Sequence, residues 1–219
     1  MKLLLTSSGI TNKSIAKALF DLVGKNPQDT SLVFIPTASN IEIGDKSWLI
    51  EDLVNLKKQN FKSIDIADIS AIDQTIWKQK IEVADIIFFE GGDNYHLMEW
   101  INKSGLNLLL PELLKNKVYV GVSAGSMVTG KSLNLSSSQL IYQENLDRHE
   151  DLQGLNITDF YFFPHLNSVH FPHVRQENIK IFADKQRDRI YALDDNSALK
   201  IENNSIEVVS EGEWLVFNN

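Results

Sequence analysis

The sequence predicts a three-layer α/β fold: an open, mostly parallel sheet with helices on both faces, ending in antiparallel hairpins. Two observations carry this. Five short apolar runs, "KLLLTSSG", "SLVFIPTAS", "SIDIADI", "DIIFFEGG" and "VYVGVSAG", are bounded by Gly, Asn, Asp or Ser and separated by helical patterns. Such alternation builds a parallel sheet through right-handed crossovers. From Arg189 onward the pattern becomes "RIYALDD", "SALKIENN" and "SIEVVSEGEWLVF", strand-like runs with Asn-Asn and Glu-Gly between them, which is the punctuation of hairpins.

The elements follow in order. The first two runs read as buried strands that end in "TSSG" at 6–9 and "PTAS" at 36–39. Between the second and third, "DKSWLIEDLVNLKKQN" places Leu49, Leu53 and Leu56 on one face of an amphipathic crossover helix, with Asp45 available as its N-cap. The fourth run ends in "EGGDN" at 90–94, and "YHLMEWINKSGLNLLLPELLKNK" beyond it reads as two helical pieces parted around Ser104 and Gly105, with Pro111 in a first turn. The fifth ends in "GVSAG" at 121–125 and hands over to a short helical "SMV". No repeat, low-complexity tract or linker divides the chain, so 1–219 reads as one domain.

Composition removes several function classes. The 21 basic residues stand against 29 acidic, a net charge of -8, which disfavours phosphate-neutralising contacts, so no nucleic acid partner is expected. With no cysteine, a disulfide framework, thiolate metal ligands and a cysteine nucleophile are all excluded. The apolar stretch of "MKLLLTSSGIT" is too short for a signal peptide, and no later run approaches the roughly 18 apolar residues of a membrane span. A cytoplasmic protein with no membrane partner is the expectation.

In open α/β sheets ligands bind beyond the carboxyl ends of the strands, so chemistry belongs in the four segments just named. Among them Gly121, Ser123 and Gly125 fit GxSxG, at the junction of an apolar strand with a helix start. That motif holds a serine on a strained turn that thrusts its hydroxyl into the crevice, and the following helix start offers unpaired amides to an oxyanion. Glycine and serine also occupy such turns for packing alone. Ser126 is hydroxylic too but sits inside the helix start. A base is needed, and of His96, His149, His165, His170 and His173, His165 in "FYFFPHLN" is delivered at the end of an apolar run, on the crevice side. His170 and His173 are spaced as a metal pair, but Pro172 interrupts a helix between them and no HExxH-like carboxylate accompanies them, so no metal is expected.

Taken in order, "FFEGGDNYHLM", "YVGVSAGSMV", "GLNITDFYFFPHLN" and "IYALDDNSALKIENN", spread from Phe88 to Asn204, resemble peptidase E (aspartyl dipeptidase) and its relative cyanophycinase. The resemblance implies a flavodoxin-like sheet of the class I glutamine amidotransferase type, without the cysteine nucleophile of those amidotransferases. It implies a serine peptidase acting on small peptides with no cofactor, in which Ser123 is the nucleophile and His165 the general base. The amides of Gly92 and Ala124 would form the oxyanion hole, and Asn94 would contact substrate. Asp93 stands where the family has glycine, and Tyr95 where the dipeptidase has threonine, which leaves specificity open. Where peptidase E carries an acid after its nucleophile, "LNLSSSQLIY" has none; the cyanophycinase-like position for the acid is Asp195, with Asp194 beside it. Those two carboxylates also read as a turn before Asn196. Arg175 resembles the arginine that grips the substrate's N-terminal Asp side chain, a task suited to a guanidinium, and equally reads as a solvated helix-start residue. A homodimer is implied by the resemblance alone. The order serine, histidine, acid differs from that of α/β-hydrolases. Two alternatives stay open: hydrolysis of another amide such as a β-aspartyl or cyanophycin-like link, and a ligand-binding member without catalysis.

Overall fold

The computed structural model describes residues 1–144 and 149–218. Its elements are β1 (Lys2–Thr6), α1 (Lys13–Val23), β2 (Ser31–Ile35), α2 (Thr37–Asn40), α3 (Ser47–Lys58), β3 (Ser63–Ile66), α4 (Gln74–Val83), β4 (Ile86–Phe89), α5 (Asn94–Lys103), α6 (Leu106–Leu113) and β5 (Val118–Val122). After these come α7 (Ala124–Met127), β6 (Ser132–Leu133), α8 (Leu135–Ser137), β7 (Leu152–Gln153), β8 (Phe160–Phe163), α9 (Gln176–Ala183), β9 (Arg189–Leu193), β10 (Ser197–Glu202), β11 (Ser205–Ser210) and β12 (Trp214–Phe217).

The main sheet has the order β11-β10-β1-β5-β4-β2-β3. Strands β1 to β5 pair in parallel, and β10 joins antiparallel to β1. Alternation along each strand divides the core between two faces. Leu4, Phe34, Phe88 and Val120 face α1 and α3, where they meet Ile15, Leu19 and Leu56. Leu3, Leu5, Val33, Phe89 and Tyr119 face the other side, against Trp77 of α4, Leu97 and Ile101 of α5 and Leu106 of α6. Three layers result. Because both faces are covered, β1, β2, β4 and β5 are continuous apolar runs, whereas the edge strand β3, "SIDI", alternates and is largely exposed.

Two local expectations are corrected. Helix α3 starts at Ser47 with Lys46 in the N-cap place; the Asp45 carboxylate lies one residue further out, accepting from Ser47 N at 3.3 Å and Ser47 Oγ at 2.9 Å. Leu56 is buried by α3 and Leu49 and Leu53 pack half-buried beside it, as the spacing predicts. Helix α6 starts at Leu106, because Gly105 takes a left-handed φ of 77° that reorients the chain there. Pro111 therefore falls inside the helix and not in its first turn.

The C-terminal strands are antiparallel but divide between two sheets. Asn203 and Asn204, at φ 51° and 66°, close a true β10–β11 hairpin of the kind Asn favours. The "RIYALDD" strand, β9, instead joins a second sheet of order β12-β9-β8, parallel to β8 and antiparallel to β12. The Glu-Gly step after β11 thus carries the chain across to that second sheet. Asp194 fastens the crossing: its carboxylate accepts from Glu213 N at 2.6 Å and from the Ser197 hydroxyl. Among the described residues no helix is long and apolar enough to cross a membrane.

Candidate active site

Ser123 sits between β5 and α7 at φ 45° and ψ -105°, a positive-φ conformation that is strained for a residue with a side chain. Its surroundings explain how this is held. A side chain at Gly121 would come within 2.5 Å of Gly125 O and 2.6 Å of Ser126 N, and one at Gly125 would run into the carbonyl of Phe89. Only glycine lets α7 fold back so tightly on β4 and β5. The turn is pinned by Ser123 N donating to Thr6 O at 3.0 Å, by the Ser126 hydroxyl donating to the same carbonyl at 2.9 Å, and by Tyr119 Oη donating to Gly125 O at 2.6 Å. Ser126 is fully buried and spent on this bond.

His165 follows β8 and Pro164 and also has a positive φ, 67°. That conformation turns its ring back over the sheet end, where Nε2 lies 2.9 Å from Ser123 Oγ and Nδ1 lies 2.7 Å from Asp195 Oδ1. Asp195 occupies the corner between β9 and β10, the point where the chain leaves one sheet for the other. Burial alone would push its carboxyl up. The His165 hydrogen bond and charge, with the Ser7 and Ser168 hydroxyls, outweigh this and hold it below the ordinary carboxylate range. Asp194 faces away, into the strand crossing.

Two residues that sequence reasoning did not single out complete the arrangement. The hydroxyl of Ser7, which is fully buried, accepts the His165 backbone N–H at 2.7 Å and donates to Asp195 Oδ1 at 3.1 Å. Its only signal in sequence was membership of "TSSG" at a strand end. The Phe171 ring stacks on the imidazole at a centroid distance of 4.2 Å and 7° between planes; nothing in the sequence marks it.

The other predicted site residues are placed as follows. Gly92 has φ 126°, and a side chain there would meet Ser39 N at 2.7 Å and overlap Ala38 O, so the "GG" loop lies tight against α2. Ala124 opens α7, so its amide has no acceptor within that helix. Asp93 is the N-cap of α5, accepting from His96 N at 2.8 Å, which accounts for an acid at a glycine position. Asn94 is buried, with Nδ2 lying 3.6 Å from Met127 Sδ beneath α7. Tyr95 is buried as well, its hydroxyl near Leu133 O and Ser138 Oγ. Arg175 gives three N–H bonds to carbonyls of its own loop: Nη1 to Phe171 O at 3.1 Å and Val174 O at 3.0 Å, and Nη2 to Ser168 O at 3.0 Å. Among the described residues no group of three or more His, Cys, Asp or Glu side chains could hold a metal ion.

A second acidic pair lies nearby. Glu90, immediately before Gly91 and Gly92, is fully buried, and neither carboxyl oxygen has a hydrogen-bond partner. Burial, then the neighbouring Asp52 carboxyl of α3, push it well above the ordinary range. Asp52 is itself pushed up to about 7, chiefly by burial, with the charge of Glu51 adding and the adjacent Glu90 carboxyl offsetting part.

The model of peptidase family S51 matches residues 3–209. The chain is 26% identical over 182 residues to the uncharacterized peptidase PM1590 of Pasteurella multocida, covering 81% of this chain and 84% of that one. It is 28% identical over 202 residues to the uncharacterized peptidase Lmo0363 of Listeria monocytogenes, covering 86% and 90%. With peptidase E of Shewanella oneidensis it shares 35% over 142 residues, 64% of this chain and 55% of the other. A crystal structure from Listeria monocytogenes EGD-e has the same fold, with a TM-score of 0.79 and 22% identity over 96% of this chain and 98% of that one.

Proposed function

The chain belongs to peptidase family S51 and is a peptidase; from that premise we propose that it hydrolyses short peptides by acyl transfer through Ser123, His165 and Asp195. The observation that carries the reading is the hydrogen-bonded line from Ser123 Oγ through both nitrogens of His165 to Asp195 Oδ1. It has the three roles that such catalysis requires.

His165 Nε2 takes the Ser123 proton as Oγ attacks the scissile carbonyl carbon. The oxygen becomes an oxyanion, which in this reading the backbone amides of Ala124 and Gly92 stabilise. As the tetrahedral adduct collapses, the C–N bond breaks and Nε2 returns the proton to the leaving amine. Water then loses a proton to the same nitrogen, attacks the acyl ester, and frees the peptide acid with Ser123 restored. Throughout, Asp195 accepts the Nδ1 proton, fixing the tautomer and stabilising the imidazolium.

A preference for an N-terminal Asp would draw on Arg175. Its guanidinium already holds the 168–174 loop through three carbonyls, which leaves its Nε–H and one Nη2–H for a ligand. The test is hydrolysis of Asp-Leu, Leu-Asp, β-Asp-Arg and neutral dipeptides by the intact protein and by Ser123→Ala, with fluorophosphonate labelling in parallel. The reading requires peptide cleavage and labelling that both vanish in Ser123→Ala; cleavage that survives the substitution refutes it.

A further inference from the structure

We propose that Trp48 is a specificity-determining residue: its indole walls the acyl-side subsite next to Ser123 and selects peptides whose residue before the scissile bond has a bulky apolar side chain. This rests on the reading of Ser123 as the nucleophile.

The sheet order sets the geometry. With β10, β1, β5 and β4 side by side, the base and its supports stand on one flank of Ser123: Ser7 follows β1 and Asp195 precedes β10. The leaving nitrogen must be on that flank, since His165 Nε2 delivers its proton, and Phe171 closes the space behind the imidazole. The acyl side chain is therefore directed to the other flank, beyond β5, where β4 ends in Glu90 and Gly91.

On that flank Gly91 leaves room and Trp48 bounds it. A Cβ placed on Gly91 would lie 3.5 Å from Ser123 Cβ and 3.8 Å from Trp48 Cζ3. Any side chain at 91 would thus fill the interval between nucleophile and indole; its absence leaves the indole edge facing the reacting centre. Trp48 is 38% exposed, which for so large a ring in the first turn of α3 means an unburied apolar face. It is also held in place. Lys46 Nζ sits 5.7 Å from the ring centroid while donating to Ser39 O and Glu42 O, both at 2.6 Å. The apolar character continues along the α2–α3 connection, where Ile41 is 45% and Ile43 100% exposed. Lys46 Nζ, the cation beside the indole, is engaged with Ser39 O and Glu42 O, whereas an indole rewards apolar contact area.

The experiment compares kcat/KM for Leu-Ala, Phe-Ala, Ala-Ala and Asp-Ala with the intact protein, Trp48→Ala and Trp48→Phe. Peptide binding to Ser123→Ala and to the Ser123→Ala/Trp48→Ala double variant is measured by calorimetry. The intact protein is expected to favour Leu-Ala and Phe-Ala over Ala-Ala and Asp-Ala by about tenfold or more, the discrimination an apolar pocket supplies. Trp48→Ala is expected to shrink the Leu-Ala to Ala-Ala ratio by about tenfold, Trp48→Phe to keep most of it, and the double variant to bind Leu-Ala correspondingly more weakly than Ser123→Ala. An equal loss on all four peptides, or an intact-protein preference for Asp-Ala, overturns the proposal. Were Ser123 to resist labelling, the peptidase reading of Ser123 would fail, and the calorimetric comparison would still decide whether Trp48 contacts an apolar side chain.

Discussion

Ser7 and Asp195, 188 residues apart, are joined by a hydroxyl-to-carboxylate hydrogen bond of 3.1 Å, and the same hydroxyl receives the backbone N–H of His165 at 2.7 Å. One buried serine therefore fixes both the acid and the backbone that carries the base. Removing it leaves Asp195 short of a donor and His165 N–H short of an acceptor. A hydrogen bond to a charged group contributes about 1.5–3 kcal/mol, so Ser7→Ala is expected to lower kcat by about tenfold or more with little change in KM. Steady-state kinetics on a well-cleaved dipeptide checks this, and a loss confined to KM would contradict the assigned role.

Asp194 and Asp195 differ in what they touch, so their variants should separate. Asp195→Asn removes the acceptor that sets the imidazole tautomer and is expected to cut kcat by about 10³-fold or more. Asp194→Asn weakens the β11–β12 crossing and is expected to lower Tm by a few degrees while leaving most of kcat. The sign of the pH effect follows from the direction of the Asp195 shift. Its folded carboxyl lies below the ordinary value of 3.8, so the stabilisation is present above about 3.8 and is lost as pH falls through the lower, folded value. Thermal melts from pH 5 down to pH 3 should therefore show a steeper loss for the intact protein than for Asp195→Asn.

Much of this arrangement is legible in the chain because it is local. Burial on both faces gives β1, β2, β4 and β5 continuous apolar runs, and GxSxG at a strand end is a short-range steric requirement. The position of His165 after an apolar run is equally local. What was not legible depends on distant partners. Nothing in "RIYALDD" and "SALKIENN" says that β9 and β10 enter different sheets, because their apolar patterns are alike. Ser7 has a hydroxyl like that of Ser8 until β1 is set beside β10. Asp45 and Pro111 were misplaced for the commoner reason that propensity places helix ends only to within a few residues.

The Asp52 carboxyl of α3 and the Glu90 carboxyl after β4 are buried and costly to ionise. Asp52, with a folded value of about 7 against an ordinary 3.8, favours the folded state most below about 3.8, and that advantage is lost as pH rises toward 7. The intact protein is thus expected to lose stability between pH 4 and pH 8 from this pair. Asp52→Asn removes one ionisation and should flatten that slope and raise Tm at pH 8 by a few degrees. Melting curves across the range provide the check; a variant that melts lower than the intact protein at pH 8 would rule the account out.

Arg175 offers a direct choice between two functions. With three N–H groups on the carbonyls of Ser168, Phe171 and Val174, it closes the loop that presses Phe171 against the His165 ring. A residue acting through the loop affects all substrates alike, whereas one gripping a substrate carboxylate affects acidic peptides alone. Arg175→Ala is accordingly expected to reduce kcat by about tenfold on Asp-Leu and Leu-Leu alike, because loss of the clamp frees Phe171 and with it the imidazole. Arg175→Lys should recover little, since one ammonium does not reproduce the planar fork that spans three carbonyls. Kinetics on the two peptides decide the matter: a loss restricted to Asp-Leu would transfer Arg175 from the loop to the substrate.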